Sequence, residues 1–205
     1  MKKQQTEKAA NEIVQFLTDF ISKVPESNLS KSEFPQEDSK DIISDASWKA
    51  ASVSGALALP PGPLGMLTIL PELIGVWKIQ AQMVADVAAV HGKTAVLSKE
   101  AMLYCLFKHG AGHLFRDIVV RAGERVLVKR VTLRALQSIL TKLGFSITQR
   151  AIGRAVARWI PIAGAVAIGA YAKYDTSQVG ETAQEFFASE FEQEKTKDDN
   201  KSEAA

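Results

Sequence analysis

An uncharged stretch from Ala50 to Leu70 constrains the fold of this chain more than any other feature. Its length approaches the roughly 20 residues that a membrane-spanning helix needs, but the block PPGP at Pro60–Pro63 prevents one continuous helix. The stretch therefore predicts a helical hairpin, which is either interfacial or re-entrant in a membrane or buried in a protein core. The residues assigned to this hairpin are Leu59, Pro61, Leu64, Met66, Leu67, Ile69 and Leu70.

The segment after the hairpin has the pattern of an amphipathic helix. Pro71 and Glu72 are typical of a helix N-terminus, and Gly92 is a natural stop. Helical spacing places one set of apolar residues on one side, Leu73, Trp77, Val84 and Val87, and the polar residues Lys78, Gln82 and Asp86 on the other.

Helical periodicity elsewhere predicts an all-α class, with one compact domain of about six to eight helices. A helix is expected from near Asp38 to the PPGP block, and another from Ser98 to Lys108, before Gly110 and Gly112. Further helices are expected at 113–129, at 131–143 before Gly144, after a cap at Thr148, after Pro161, and along the stripe Val179, Ala183, Phe186, Phe187 and Phe191.

An amphipathic helix also begins the chain and ends before Pro25, with an apolar stripe that includes Ile13, Phe16, Leu17, Phe20 and Ile21. The polar segment 25–40 has the composition of a flexible linker. The first helix is therefore either folded back on the core or an arm that binds a partner or a membrane. The predicted organisation is a helix at 1–24, a linker at 25–40, a helical domain at 41–191 and a disordered acidic tail at 192–205.

Charge is segregated along the chain, although the net charge is only +2. Residues 116–158 carry ten Lys and Arg against two acids, whereas nine acids face three lysines from Asp175 to the end. Helical spacing gives two basic ladders without acidic partners at i+4, which are Arg121, Arg125 and Lys129, and Arg150, Arg154 and Arg158. Anionic lipid is the favoured partner, because the aromatic interleaving of nucleic-acid modules is missing. Pairing with the acidic tail is the intramolecular alternative.

Catalytic and metal chemistry have weak support. No serine lies in a Gly-x-Ser-x-Gly context, and the acids are too scattered to nominate a carboxylate pair. Cys105, His109, His113 and Asp117 follow at i+4 steps, but Gly110 and Gly112 are expected to end the helix between them. A buried thiol and ordinary histidines are therefore expected, with no cofactor. The single cysteine fits a reducing compartment, and no secretory signal peptide is predicted.

Two segments resemble the bacterial EcsC family. They are ALPPGPLGMLTILPELIGVWKIQAQMVADVAAVHGK and RWIPIAGAVAIGAYAKYDTSQVGETAQEFF, in the same order as in that family, and the resemblance covers about Ser47 to Phe191. The chain is likewise similar to the C-terminal domain of YcjF-type inner-membrane proteins. His91 stands where the family usually has tyrosine. The resemblance implies an all-helical, membrane-associated bacterial protein, accessory to a membrane transporter, without an established reaction.

The first functional hypothesis is a non-enzymatic helical protein on the cytoplasmic face of a bacterial membrane. The alternative is a cytoplasmic adaptor or regulatory protein that binds a protein partner through Ile13, Phe16, Leu17, Phe20 and Ile21. An enzyme or metal protein would rest on Cys105, His109 and His113 alone.

Overall fold

The computed structural model describes residues 2–59, 69–115, 118–122, 125–129, 131–155 and 161–191. Within these ranges the predicted all-α class is confirmed. The α-helices are α1 (Lys2–Ser22), α2 (Pro35–Ala58), α3 (Ile69–Val90), α4 (Lys99–Ala111), α5 (Leu133–Ala155) and α6 (Pro161–Ala188). The strands are β1 (Val119–Ala122), β2 (Arg125–Val128) and β3 (Glu190–Phe191), and short 3₁₀ helices occupy Thr94–Val96 and Gly112–Leu114.

The long helices α2 and α6 form an antiparallel pair. Near the start of α2, the side-chain nitrogen of Gln184 donates to the carbonyl oxygen of Gln36 at 3.1 Å. Near the end of α2, Ala58 packs against Ala165 and Ile168. The pair therefore spans the bundle, and the ends of these helices mark its two ends.

Helix α3 is the central helix of the core and packs against both α2 and α6. The predicted apolar side is buried, and Lys78 and Gln82 on the opposite side are exposed. Gly92 has a φ of +66°, and its amide donates to the carbonyl of Ala89 at 2.8 Å, as expected where a glycine stops a helix.

Helix α3 is also, in the described part of the chain, the one helix long and apolar enough to cross a membrane. However, 67% of its most apolar window is buried inside the fold. The apolar composition of α3 is therefore already explained by its place in the core.

Helix α1 folds back on the core, which is one of the two arrangements that the sequence left open. Ile13 is 4% exposed and Leu17 is completely buried, and the helix packs mainly along α5. Its contact with α5 is close at Gly144, where a Cβ would lie 2.5 Å from Cγ2 of Val14. A side chain at this position would push the two helices apart.

Gly144 does not end a helix, so the predicted stop at this position is wrong. Helix α5 continues through it to Ala155, and the hydroxyl of Thr148 donates to the Gly144 carbonyl at 2.7 Å within the helix instead of capping a new one. A glycine inside a helix costs stability, but here it permits the close contact with α1.

The helix predicted at 113–129 is also wrong, because β1 and β2 form an antiparallel hairpin there and β2 pairs in parallel with β3. Valines occupy positions 119, 120, 126 and 128, and β-branched side chains favour strands. The basic residues at i+4 suggested a helix, but the valines decide the local structure.

Two predicted helix ends differ from the structure as well. Helix α4 runs past His109 to Ala111, and α6 is one helix of 28 residues where two were predicted. The polar residues at 175–177 lie inside α6 because they are bonded to neighbouring helices, as Ser177 is to Ser47 across 3.1 Å.

The segment predicted as a flexible linker is shorter than expected, since residues 35–40 form the first turns of α2. Pro25–Phe34 runs without helix or strand along α3. The amide of Ser32 donates to the carbonyl of Val90 at 2.9 Å, and the side chain of Gln82 donates to the carbonyl of Glu26 at 3.1 Å. These bonds attach the segment to the core helix.

Replacing Leu17 tests the docking of α1. Leu17→Ala should lower the free energy of unfolding by about 2–5 kcal/mol, because it removes a fully buried side chain. The control Gln15→Ala, at an exposed position of the same helix, should change it by less than about 0.5 kcal/mol. Urea denaturation measures the free energy of unfolding of both variants. A small and equal decrease for the two variants would contradict the docking of α1 on the core.

His91 should make stability depend on pH. Its ring nitrogen Nε2 lies 3.2 Å from the hydroxyl of Ser39, and burial followed by the charge of Lys93 lowers its pKa below the ordinary 6.5. The unfolded chain then binds the proton more tightly, so the unfolding free energy should fall as the pH drops below about 6.5, until the folded-state pKa is passed. His91→Gln should remove this part of the pH dependence. If the unfolding free energy of both proteins changes with pH in the same way, His91 does not contribute to it.

Candidate functional site

One end of the bundle brings several helix ends together. Helices α2 and α3 are antiparallel, with Gly75 against the side chain of Val53, so the end of α2 lies beside the start of α3. The first turns of α6 join them through Ala165. We call this region, formed by Leu59, Ile69, Leu70 and Val166, the apolar end.

The apolar end contains the described part of the predicted hairpin. Leu59 is 54% exposed, whereas Ile69 and Leu70 are partly buried against the main core. Pro61, Leu64, Met66 and Leu67 lie outside the described residues, in the segment 60–68 that connects Leu59 to Ile69. This uncharged segment is thus attached to the bundle at the apolar end.

An exposed face on α2 and α6 extends from the apolar end. A shallow groove of about 470 Å³ runs between the two helices and is lined mainly by small and apolar residues. Trp48 is 59% exposed, Val166 68% and Tyr174 63%. The ammonium group of Lys173 lies 3.9 Å from the centre of the Trp48 ring, at cation–π distance.

Sequence reasoning missed this exposed face. Ala163 and Ala167 have the small side chains typical of closely packed helices, but both are exposed, and Val166 lies between them. The signal was present, since Val166, Ala170 and Tyr174 recur at i, i+4 and i+8 on α6. This spacing is the same as on the apolar side of a core helix, so the sequence alone does not show which side of α6 is covered by neighbouring helices.

The second basic ladder is joined to the start of α6 by a short connection. Arg150 and Arg154 are in the last turns of α5, and five residues separate the end of α5 from the start of α6. Six Cα steps span at most about 20 Å. Arg158 is outside the described residues, within this short connection.

The first basic ladder lies elsewhere, on the sheet. Arg121 and Arg125 are on β1 and β2, and the exposed Lys129 follows directly. Helix α5 starts four residues later and is about 34 Å long, with Arg150 and Arg154 in its last turns. The two ladders therefore belong to opposite ends of α5 and do not form one cluster.

Acidic residues lie on and directly after β3, the third strand of the sheet. Position 125 on β2 is paired in register with Glu190 on β3, and the acidic tail follows directly. This backbone pairing favours the intramolecular alternative for Arg121, Arg125 and Lys129. No comparable run of acids adjoins residues 150–158 in the sequence.

Of the candidate metal ligands, Asp117 lies outside the described residues, and the other three do not form a metal site. Cys105 is completely buried in the core, and burial raises the pKa of its thiol far above the usual range. His109 is bonded through Nε2 to a carboxylate oxygen of Asp175 at 2.8 Å, whereas His113 is exposed in a 3₁₀ helix. Among the described residues, no group of three histidine, cysteine or acidic side chains could hold a metal ion.

The proposed partner-binding helix is engaged within the molecule. Phe16 stacks on Trp77 of α3 with ring centres 5.8 Å apart, and Phe20 stacks on Phe16 at 5.4 Å. The side chain of Ile21 is outside the described part. Partner binding through this stripe would require α1 to leave the core, because Ile13 and Leu17 are buried.

Comparison of the chain with family models, curated proteins and solved structures found no match. The resemblance to the EcsC family therefore stays a prediction.

The Cys105 thiol should be unreactive in the folded protein, since its burial disfavours the thiolate. An aromatic disulfide reagent should modify it only as fast as the protein opens, and should modify one thiol per chain in denaturant. Rapid modification without denaturant would show that the Cys105 thiol is accessible and would support a reactive role for it.

Proposed function

We propose that this protein is a non-enzymatic, peripheral protein of the cytoplasmic face of a bacterial membrane, bound to anionic lipid through its apolar end. One observation carries the proposal. The uncharged segment 60–68 leaves α2 and enters α3 at the apolar end, and the last turns of α5, which carry Arg150 and Arg154, are joined to the first turn of α6 by five residues that include Arg158. Apolar contact and attraction to lipid phosphates are the two contributions that hold proteins at membrane surfaces.

Exposed apolar side chains support this orientation. Leu59 and Val166 leave more than half of their surface in solvent, next to the segment 60–68. Trp48 and Tyr174 lie farther along the exposed face, and tryptophan and tyrosine are enriched at the depth of lipid headgroups. The apolar end would thus contact the acyl chains, and the exposed face would contact the headgroups.

The distribution of charge favours this end over the sheet. Arg121 and Arg125 have acidic sequence next to them, whereas residues 150–158 do not. Each basic residue near an anionic surface contributes roughly 1 kcal/mol, so three arginines without acidic neighbours in the sequence suffice for reversible attachment. The resemblance to the EcsC family adds the expectation of an accessory role in transport or envelope processes.

Neutralising the second ladder should weaken membrane binding. The triple variant Arg150→Gln, Arg154→Gln, Arg158→Gln should lose roughly 3 kcal/mol of binding to phosphatidylglycerol-containing vesicles at low salt, about 100-fold in affinity. The matched variant Arg121→Gln, Arg125→Gln, Lys129→Gln removes the same charge and should lose much less. Co-sedimentation measures both, and added salt should weaken the parent protein.

An apolar pair of variants completes this experiment. Val166→Glu places a charge at the apolar end and should reduce binding, whereas Phe34→Glu changes a side chain that is 64% exposed at the far end of α2, about 36 Å away. Failure of the parent to bind at low salt would exclude the proposal. Equal losses for the two triple variants would show a dependence on total charge without a defined site.

A further inference from the structure

The groove on the exposed face follows the line along which α2 and α6 touch. On α2 it extends from Trp48 to Leu59, which corresponds to about 16 Å along the helix axis. The two backbones are close beneath it, since a Cβ on Gly169 would lie 3.0 Å from the carbonyl oxygen of Ala51. A ligand would therefore lie lengthwise in the groove and would not enter the space between the helices.

The two ends of the groove differ in chemistry. Leu59 and Val166, both mostly exposed, lie where the groove meets the apolar end. Lys173 and Trp48 lie at the other end, and Lys173 is the one charged residue among the described lining residues. Exposed apolar surface that is continuous in this way is typical of a binding site. The groove thus has an apolar end and a cationic end.

The ammonium group of Lys173 is available to an anion. It lies 3.9 Å from the centre of the Trp48 ring, and among the described residues no carboxylate is within ion-pair distance of it. The face of an aromatic ring attracts a cation without neutralising it. The three donors of the ammonium group can therefore bind a phosphate at this end of the groove.

We propose that the groove binds one acyl chain of an anionic phospholipid, whose phosphate lies beside Lys173. The inference rests on the proposed function, since it names the lipid that the exposed face contacts. The hydrocarbon core of a bilayer is about 30 Å thick, so the acyl chains of one leaflet span about 15 Å, which is close to the length of the groove. With its methyl end at Leu59, the lipid has the orientation of its neighbours in the leaflet that the apolar end contacts.

A partner helix and a second copy of this chain are the alternative occupants of an apolar groove. Protein interfaces contain about one hydrogen bond per 100–200 Å², and the groove offers few polar atoms for such bonds. The one hydroxyl among its described lining residues, that of Ser52, already donates to the carbonyl of Trp48 at 2.9 Å. An acyl chain needs no hydrogen bonds, so the lining favours a lipid.

Titration of the full chain with lysophosphatidylglycerol, below its critical micelle concentration, tests the proposal without a membrane. This lipid should bind saturably by calorimetry and shift the fluorescence of the exposed Trp48 to shorter wavelength. Glycerol phosphate, which has no acyl chain, should not bind. Lysophosphatidylcholine of the same chain length has no net charge and should bind about fivefold more weakly, the fold change that corresponds to roughly 1 kcal/mol from one basic residue. Lys173→Gln should bind both lipids equally.

Two substitutions fill the groove from facing helices. Ala170→Leu and Ser52→Leu are at exposed lining positions, and leucine is a good helix former, so both variants should fold. Each should weaken lysophosphatidylglycerol binding at least about tenfold, because two or more methylene groups of the acyl chain lose their contact. The control Ala188→Leu adds the same side chain at an exposed position in the last turn of α6, outside the groove, and should bind as the parent does.

Absence of saturable binding by the parent would overturn the inference, as would unchanged binding in both filled variants. A preference for lysophosphatidylglycerol that persists in Lys173→Gln would also overturn it, because the phosphate would then lie elsewhere. So would a dimer that forms without lipid and is lost in Ala170→Leu, which would assign the groove to a second copy.

The vesicle experiment with the two triple variants is a separate measurement. If the parent binds vesicles through the second ladder but does not bind lysophosphatidylglycerol, the groove inference alone fails. If the parent binds lysophosphatidylglycerol in the groove but does not bind vesicles, the proposed function alone fails.

Discussion

The close antiparallel contact between α2 and α6 is the constraint on which the rest of the structure depends. A Cβ on Gly180 would lie 2.5 Å from Cγ1 of Ile43, and a Cβ on Gly169 would lie 3.0 Å from the carbonyl oxygen of Ala51. Because the backbones approach so closely, α6 remains one helix through its polar middle, where Ser177 is bonded to a serine of α2. Helix α3 then packs against both helices.

This arrangement determines where charge and apolar surface can lie. The end of α2 packs against the first turns of α6, and five residues join the end of α5 to the start of α6, whereas β3 follows the last turn of α6, about 42 Å away along a 28-residue helix. The two basic ladders are thereby placed at opposite ends of the molecule. Only the ladder near the apolar end lacks an acidic neighbour in the sequence, which is why the proposed membrane contact is assigned there.

The same packing creates the polar interior. Gln80 of α3 donates to Asp175 at 3.0 Å and to the hydroxyl of Thr176 at 3.1 Å, so both helices are held in register by bonds that would be costly to leave unmade. A small cavity lined by Ser54, Glu72 and Asp175 lies beside this network.

The sequence alone determined the helical class, the course of α3 and the end of α2 before the PPGP block, because periodicity and glycine or proline act through local backbone physics. Only the tertiary structure decided that the helix continues through Gly144, where the glycine permits close contact with α1. Likewise, only the tertiary structure decided that 119–128 forms two paired strands and not a helix. The cavity could not be read from the chain, since Ser54 and Asp175 are 121 residues apart and come together only through the α2–α6 contact. Local patterns specify which elements form, whereas the lack of space between packed helices decides which faces are buried and which polar groups meet.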